Sequence, residues 1–353
     1  MRTARRILAL AAGPAIASAA TILVGAVFII GIGKDPLEVF SLLFIQTFGS
    51  TYGIGQVLFK ATPLMFTGLA AGISFRAGLF NIGAEGQLTV GAFLTAVVGF
   101  IGRGLPSALL VPAALLAGMA GGALWGLIPG ILRARFGAHE VINTIMMNFI
   151  ASAFASYMVT NVFLVPASVH TPAIDPAAEI PRLEAVTGSF QGAPVNLSLL
   201  IAISACIAVW LFLWKSRPGY ELRATGLNRN AALYGKIRVG WQVVFALTIS
   251  GALAGLVGSN FVLGYKHYFE LGFSEGIGFI GIAVALLARN HPIGIIATSL
   301  FFGVLEYGSL TINTLVPKEL SQILQAIVIL FVIILTRLGN RWVTRLLQEP
   351  LRT

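Results

Sequence analysis

Charged residues are scarce in this sequence of 353 residues, since Asp, Glu, Lys and Arg make up 10% and hydrophobic residues 57%. A soluble domain carries about 25% charged residues, so this chain has too few to cover a surface that faces water. Cysteine is scarcer still, because Cys206 is the only one. That count excludes a disulfide framework and a cysteine-based metal site. Soluble enzymes, secreted disulfide scaffolds and disordered tails are therefore excluded.

Long apolar runs are what the sequence has instead. A helix of about 20 residues crosses a hydrocarbon core about 30 Å thick, and runs of that length recur from end to end. They predict an all-α integral membrane protein with about ten transmembrane helices, in a single polytopic domain over residues 1–353. The predicted spans are 7–33, 53–75, 80–101, 106–132, 140–163, 197–214, 241–264, 275–289, 292–307 and 319–336.

Two further features qualify this pattern. The eighth and ninth spans are shorter than a full crossing, so one of them could be broken or re-entrant. Residues 36–51 predict an amphipathic helix outside the membrane, because Asp35 and Pro36 suit a helix start. The first 31 residues resemble a signal peptide, but the uncharged run over 7–33 exceeds the core of 7–15 residues that such peptides have. We therefore expect an uncleaved first span.

The basic residues give the orientation. With the N-terminus inside, 17 of the 23 Lys and Arg residues fall on the inner side, as the positive-inside rule expects. Both termini are therefore predicted in the cytoplasm. The same asymmetry accounts for the net charge of +10 without nucleic acid as a partner. Residues 164–196, which contain five prolines, become an extracytoplasmic loop that could face a partner, and residues 215–240 become a highly charged cytoplasmic loop.

The spacing of glycines predicts how the helices pack, and a similarity between two internal segments, called the internal echo here, bears on the symmetry of the fold. The fourth span has glycines four residues apart, which predicts close helix contacts: Gly118, Gly122, Gly126 and Gly130. The sequence AEGQLTVG from Ala84 resembles SEGIGFIG from Ser274. This echo leaves two readings open, a chance match or two inverted five-helix repeats, which is a common transporter plan.

The apparent catalytic motifs of this sequence lack a required residue or structural context, and no nucleotide-binding motif occurs. Residues 272–276 match G-x-S-x-G, but that motif needs a strand before the serine, and the sequence predicts none. His139 and Glu140 begin an H-E-x-x-H pattern whose second histidine is replaced by Asn143. No P-loop sequence occurs, so ATP-driven work would need a separate subunit. The sequence therefore implies neither a metal nor a cofactor, and no enzyme.

Polar residues within the predicted spans are the candidates for a substrate pathway. Such residues are costly in a membrane and commonly face a cavity or a partner. The candidates are Asn81, Glu85, Gln87, Asn143, Asn148 and Asn260. For Glu85, which should lie near the cytoplasmic side, we favour a structural role in which its carboxylate accepts backbone N–H groups near its helix start or pairs with Arg76. For Asn143 and Asn148 we favour the pathway.

Three segments carry a family resemblance. Gly78 to Gln87, GLFNIGAEGQ, resembles the signature of ABC-importer permeases of the ribose and branched-chain amino acid type. It is most similar to the nucleoside (riboside) branch. HEVINTIMMNFIA from His139 and GFIGIAVALLARNHPIG from Gly278 resemble segments of the same branch. The resemblance extends over both halves of the chain.

The resemblance implies a permease subunit in the bacterial inner (plasma) membrane, surrounded by lipid. It implies an ABC ATP-binding subunit, an extracytoplasmic solute-binding protein, and a second permease that makes a homodimer or a heterodimer. Residues of the inner loop match the family's coupling helix, which docks on the ATPase: Gly226, Asn228, Ala231, Ala232 and Gly235. Arg223 could pair with acidic groups of that partner. An ordinary positive-inside loop is the alternative.

The substrate and the class of transporter have alternatives. Nucleosides are the favoured substrate, but ribose or another small polar solute could use a similar bundle. An ion-coupled secondary transporter or a channel is the candidate from a different class. It would require ion or proton sites near the midplane, and the spans contain few charges.

Overall fold

The computed structural model describes residues 23–313, 315–317, 320, 323, 326, 327 and 330. Helices dominate this part of the chain, and residues 23–31 are helical as well. The helices are α1 Pro36–Phe48, α2 Thr51–Arg76, α3 Ala84–Ile101, α4 Ser107–Phe136, α5 Glu140–Tyr157, α6 Leu183–Thr187, α7 Ser198–Lys215, α8 Arg217–Leu227, α9 Arg229–Tyr234, α10 Val239–Gly255, α11 Ile277–Leu287 and α12 Pro292–Thr311. A π-helical turn, Met158–Val162, extends α5, and another, Ser259–Lys266, follows α10.

Seven helices of the described residues are long and apolar enough to cross a membrane. They correspond to the second to seventh and the ninth predicted spans, so the all-α membrane fold is confirmed. Most of the first and tenth predicted spans, 7–33 and 319–336, lies outside the described residues. The count of ten and the inverted repeats therefore stay predictions.

The eighth predicted span, 275–289, is not a full crossing. Its helix α11 has 11 residues, which at a rise of 1.5 Å per residue is about 16 Å long. The ninth, α12, has 20 residues and is long enough to cross. Of the two short spans, the ninth thus contains a helix long enough to cross, and the eighth contains one that is too short.

The chain divides into two units. The first contains residues 1–50 and 305–353, and its described core is formed by Ile29, Val39, Ile312 and Val316. Helix α1 of this unit begins as predicted, since the Asp35 carboxylate accepts the backbone N–H of Leu37 at 2.8 Å and Pro36 follows the cap. The placement of α1 outside the membrane stays a prediction.

The second unit, residues 51–304, has a glycine seam between α4 and α10. A Cβ at Gly118 would lie 3.0 Å from the carbonyl oxygen of Gly255, and one at Gly122 would overlap the carbonyl of Gly251. The predicted close contact of the fourth span is therefore confirmed. Its partner is α10, and only glycine allows backbones to approach this closely in a membrane.

The loop 164–196 is folded rather than open. Its backbone N–H groups donate to the carbonyls of residues that end the π-helical turn and α3: Ile174 to His267 at 2.8 Å, Ile180 to Leu263 at 2.9 Å and Asp175 to Gly99 at 3.0 Å. Helix α7 has 18 residues, about 27 Å, and separates this loop from residues 215–240. The two loops thus lie at opposite ends of α7.

The seam gives the first prediction. Gly122→Val should destabilise the protein by at least about 1–3 kcal/mol, the usual cost of overpacking, because the new side chain forces two backbones apart. The measurement is the melting temperature in detergent. Ala120→Val is the matched control, since it adds a β-branched side chain to the same helix at an exposed position. Equal melting temperatures for the two variants would contradict the seam.

Candidate functional site

The turn between α2 and α3 places the polar residues of the signature segment. Helix α2 ends at Arg76, and Gly78 then takes a positive φ of 73°, the left-handed conformation that commonly ends a helix at glycine. Asn81 accepts the backbone N–H of Gly83 at 2.8 Å through its Oδ1, a local turn that asparagine favours. Helix α3 starts directly afterwards, at Ala84.

A buried hydrogen-bond network joins three helices at this turn. Asn81 donates through Nδ2 to Gln87 Oε1 at 3.0 Å and to Ser250 Oγ at 2.8 Å. Ser250, on α10, donates in turn to the carbonyl of Ala70 on α2 at 2.7 Å. Asn81, Gln87 and Ser250 are all buried. The structure thus brings Asn81 and Gln87 together as interior groups that bond to each other.

Glu85 connects the starts of two helices. It lies in the first turn of α3, and its carboxylate accepts the Gly278 backbone N–H at 2.8 Å and the hydroxyl of Ser274. Gly278 is in the first turn of α11. A helix N-terminus has unpaired N–H groups and a partial positive charge, and two such ends meet at this carboxylate. The Glu85 carboxylate therefore accepts an N–H group of a second helix, α11, while it lies in the first turn of its own helix, α3.

Of the two structural roles predicted for Glu85, the pairing with Arg76 is wrong. At the other end of α11, Arg76 donates to the carbonyls of Asn290 at 2.9 Å and Arg289 at 3.1 Å. Helix α11 separates this contact from the Glu85 carboxylate by about 16 Å, about half of a hydrocarbon core. Arg76 thus binds backbone carbonyls at the end of α2, and the carboxylate lies well away from that end rather than beside it.

The two candidate asparagines of α5 differ in their hydrogen bonds. Asn148 accepts the backbone N–H of Gly86 at 2.8 Å and donates to the Ile82 carbonyl at 3.0 Å. Thr144 accepts the Ile82 N–H at 3.3 Å. Asn143 differs, because its Nδ2 is buried and has no hydrogen-bond partner among the described residues. Asn148 holds the turn in place, whereas Asn143 has an unused donor.

Asn260 lies apart from this group. Its Nδ2 donates to the Phe59 carbonyl at 3.3 Å, and its Oδ1 accepts from Asn196 at 3.2 Å. It is ten residues beyond Ser250 along the chain, about 15 Å along helical backbone. Five of the six pathway candidates are therefore on α3, its preceding turn and α5, while Asn260 belongs to the π-helical turn near the folded loop.

The inner loop forms two short helices. Asn228 caps α9 through its side chain, which accepts the Ala231 N–H at 3.1 Å. Ala232 is buried at 3% exposure, while Leu227 and Tyr234 are 87% and 91% exposed. Exposed apolar side chains beside charged ones are typical of an interaction surface.

Gly226 and Arg223 both contact neighbouring helices of the bundle rather than extending outward. A Cβ at Gly226 would lie 2.7 Å from the backbone nitrogen of Gly78. Arg223 donates to the Leu213 carbonyl at 2.9 Å, and its guanidinium lies 5.4 Å from the ring centre of Trp214. The Arg76 guanidinium lies over the same ring at 5.2 Å, so the cations are held by cation–π attraction.

Sequence reasoning missed the hydroxyl partners. Ser250 is a single serine in an apolar span, which gives no signal of its own. Ser274 belongs to the G-x-S-x-G pattern, and its hydroxyl donates to Glu85. Its neighbours Gly272 and Gly276 have positive φ values of 79° and 88°, so the glycines of that pattern serve a tight turn before α11.

Comparison with known proteins matches this chain to a family model. The model is described as a branched-chain amino acid transport system permease component, and it matches residues 53–333. A guanosine ABC transporter permease protein of Bacillus subtilis is 40% identical over 324 residues, which cover 90% of this chain and 92% of the relative.

Two further relatives are similar over most of their length. A nucleoside ABC transporter permease protein of Lactococcus lactis is 34% identical over 330 residues, 90% of this chain and 89% of that one. A glucose ABC transporter permease protein of Haloferax volcanii is 34% identical over 333 residues, 91% of this chain and 86% of that one.

The contacts of Glu85 give the second prediction. Glu85→Ala leaves the Gly278 N–H and the Ser274 hydroxyl without their acceptor, and an unsatisfied buried donor costs about 1–3 kcal/mol. We expect a lower melting temperature in detergent for Glu85→Ala, and a smaller decrease for Ser274→Ala, which removes a single bond. Unchanged stability with lost uptake in Glu85→Ala would assign the carboxylate to the pathway instead.

Proposed function

This chain belongs to the family of permease components of branched-chain amino acid transport systems, and from that membership we propose that it carries nucleosides. It is the permease subunit of an ABC importer, a multi-pass protein of the plasma membrane and not itself an enzyme. The family implies an ATP-binding subunit that hydrolyses ATP and a substrate-binding protein that delivers the solute. Because the chain belongs to this family, we no longer consider an ion-coupled secondary transporter.

The observation that carries the substrate proposal is the similarity to permeases named for guanosine and for nucleosides. A sugar is the second candidate, because a permease named for glucose is also similar over most of its length. Ribose combines both chemistries, since it is the sugar of a nucleoside. The base is therefore the part of the substrate that separates the two candidates.

The hydrogen bonding of Glu85 and Asn143 supports a neutral substrate. The Glu85 carboxylate accepts two protein donors, so its charge is already stabilised by hydrogen bonds. Asn143 has a buried Nδ2 without a partner among the described residues, a donor suited to a ribose hydroxyl or a base carbonyl. We place Asn143 in contact with substrate. In this proposal Asn81, Glu85, Gln87 and Asn148 line the pathway at the signature segment, and Asn260 lines it nearer the loop 164–196.

The third prediction tests the substrate. The permease, reconstituted in proteoliposomes with its ATP-binding subunit and binding protein, should take up radiolabelled guanosine and uridine only when ATP is inside. Unlabelled nucleosides should compete, whereas excess ribose and glucose should not. Omitting the binding protein is the control. Uptake of glucose or ribose that nucleosides do not inhibit would contradict nucleosides as substrates.

The finer architecture is also proposed. Ten spans with both termini in the cytoplasm agree with the positive-inside pattern. The loop 164–196 would then face the binding protein, and its folded backbone offers that partner a fixed surface. The meeting of α3 and α11 at Glu85 is compatible with two inverted halves, because the two echo segments lie against each other there. A second permease subunit would complete the pathway, in a homodimer or a heterodimer.

Residues 215–240 form the proposed coupling surface for the ATP-binding subunit. Helix α9 exposes apolar residues toward a partner, and Gly226 touches the backbone at the end of α2. A displacement of this loop by the ATP-binding subunit would be transmitted through Gly226 to the turn at Gly78, three residues before Asn81. In this proposal Arg223 positions α8 on Trp214, and Asn228, Ala231, Ala232 and Gly235 form the docking turn.

The fourth prediction concerns Gly226. In Gly226→Ala the added methyl group collides with the backbone over residues 76–78, so α8 has to move and coupling should fail. We expect uptake to fall at least about tenfold, with little stimulation of ATP hydrolysis by loaded binding protein. Gly240→Ala is the matched control, because its Cβ has only an ordinary contact at 4.0 Å.

A second variant separates coupling from folding. Leu233 is exposed on α9, so Leu233→Arg should keep the melting temperature of the isolated permease while weakening association with the ATP-binding subunit. Copurification of the two subunits measures that association. Normal uptake in both Gly226→Ala and Leu233→Arg would show that the inner loop is not the coupling surface.

A further inference from the structure

The ring of Trp214 joins several segments at one end of the bundle. Trp214 lies in the last turn of α7. The guanidinium groups of Arg76, at the end of α2, and Arg223, on α8, lie over this ring at 5.2 Å and 5.4 Å from its centre. The ring of His291, in the turn between α11 and α12, packs against it at 5.1 Å. One side chain thus contacts the proposed coupling surface, the end of α2 and the turn that follows α11.

The two cations depend on this ring because no carboxylate holds them. Among the described residues, neither Arg76 nor Arg223 forms an ion pair, and two like charges close together repel. Each guanidinium is held instead by cation–π attraction to the ring and by backbone carbonyls. Arg223 donates to the Leu213 carbonyl at 2.9 Å. The ring of Trp214 therefore helps to hold α8 beside the end of α2.

An uncommon turn lies on the other side of Arg76. Arg289 and Asn290, which follow α11, have positive φ values of 53° and 56°, a region that residues other than glycine rarely adopt. Such residues persist where the surrounding structure holds them. The N–H groups of this turn bond to carbonyls of α11, whereas its carbonyls accept from Arg76 at 3.1 Å and 2.9 Å. The conformation of the turn therefore depends in part on α2.

Helix α11 connects this turn with the signature segment. The helix lies closely against α2, since a Cβ at Gly68 would lie 2.9 Å from Cγ1 of Val284. At its first turn, the Gly278 N–H donates to Glu85 at 2.8 Å. Side chains of other segments thus bind α11 at both of its ends, and its helical backbone joins the two contacts.

We infer that Trp214 and Arg76 are positioning residues that transmit a displacement of the coupling surface to α11 during ATP-driven transport. This inference rests on the proposed coupling role of residues 215–240 and adds a route by which that role is carried out. The route leads from Arg223 through the ring to Arg76, and then along α11 to Glu85. Packed side chains that end at a rigid helix are the kind of structure that carries coupling between distant sites.

The test measures nucleoside uptake and ATP hydrolysis together in proteoliposomes that contain the full importer and loaded binding protein. Trp214→Leu removes the ring, so uptake should fall about tenfold, a factor that corresponds to about 1.4 kcal/mol. Basal ATP hydrolysis and copurification of the ATP-binding subunit should stay at the wild-type level. Fewer nucleosides should therefore cross for each ATP hydrolysed.

Two conservative variants separate the route from a general loss of packing. Trp214→Phe keeps an aromatic face for the cations and should restore most of the uptake. Arg76→Lys keeps the charge but not the planar fork that reaches two carbonyls, so its ratio of nucleosides to ATP should fall as in Trp214→Leu. The double variant of Trp214→Leu and Arg76→Lys should lose no more than either single variant, because both interrupt one route.

Trp241→Leu is the matched control for losing an indole ring. Trp241 lies in the first turn of α10 and is 61% exposed. In the part of the chain that the structure describes, no cation lies over its ring. Its variant should keep the wild-type ratio of nucleosides to ATP.

The outcomes distinguish this route from the proposed function. A wild-type ratio in Trp214→Leu overturns the route, while Gly226→Ala still tests the coupling surface itself. Equal losses in Trp214→Leu and Trp214→Phe, or loss of copurification, also overturn it. If Trp214→Leu has a lower melting temperature, Arg76→Lys decides, and a wild-type ratio in that variant overturns the route. A wild-type importer that moves a sugar but no nucleoside overturns the proposed substrate, and the same ratios for that sugar then test the route.

Discussion

The hydrogen bonds of one carboxylate organise the middle of this protein. A helix that begins inside a bundle has backbone N–H groups that water cannot reach, and each unsatisfied group in a membrane costs several kcal/mol. Helix α11 begins in that way, and Glu85 supplies acceptors for Gly278 and Ser274. Because Glu85 itself belongs to α3, one side chain fixes where two helices start.

The turn before α3 solves the same problem with neutral groups. The N–H groups of residues 77–79 still pair with carbonyls of α2, whereas the backbone groups of Ile82 and Gly83 pair with side chains of α5 and of the turn itself. Asn148 is the clearest example, because it serves one carbonyl and one N–H group. Thr144 and Asn148 are thus bonded to the backbone of this turn, whereas Asn143 has a buried donor without a partner among the described residues.

Much of this arrangement follows from the sequence, because membrane thickness fixes helix length. Seven spans could be located from hydropathy, and the glycines of α4 indicated close packing. The bounds of α11 could not be predicted, because the apolar run extends from 275 to 289 and continues past both ends of the helix. The start of the helix depends instead on Glu85, which accepts the N–H group of its first turn. Ser250 and Ser274 were missed for the same reason, because their importance depends on a distant acceptor and not on local pattern. Phe59 packs against Phe261 and Tyr265, which follow it by more than 200 residues, and no local pattern reveals that contact.

The short helix α11 also bears on how the protein is made. Eleven residues are too few for a segment to settle across a bilayer alone, so α11 has to be admitted together with its neighbour α12 after synthesis of both. Its acceptor, Glu85, leaves the ribosome nearly 200 residues earlier. The order of synthesis therefore makes the acceptor before the N–H groups that need it.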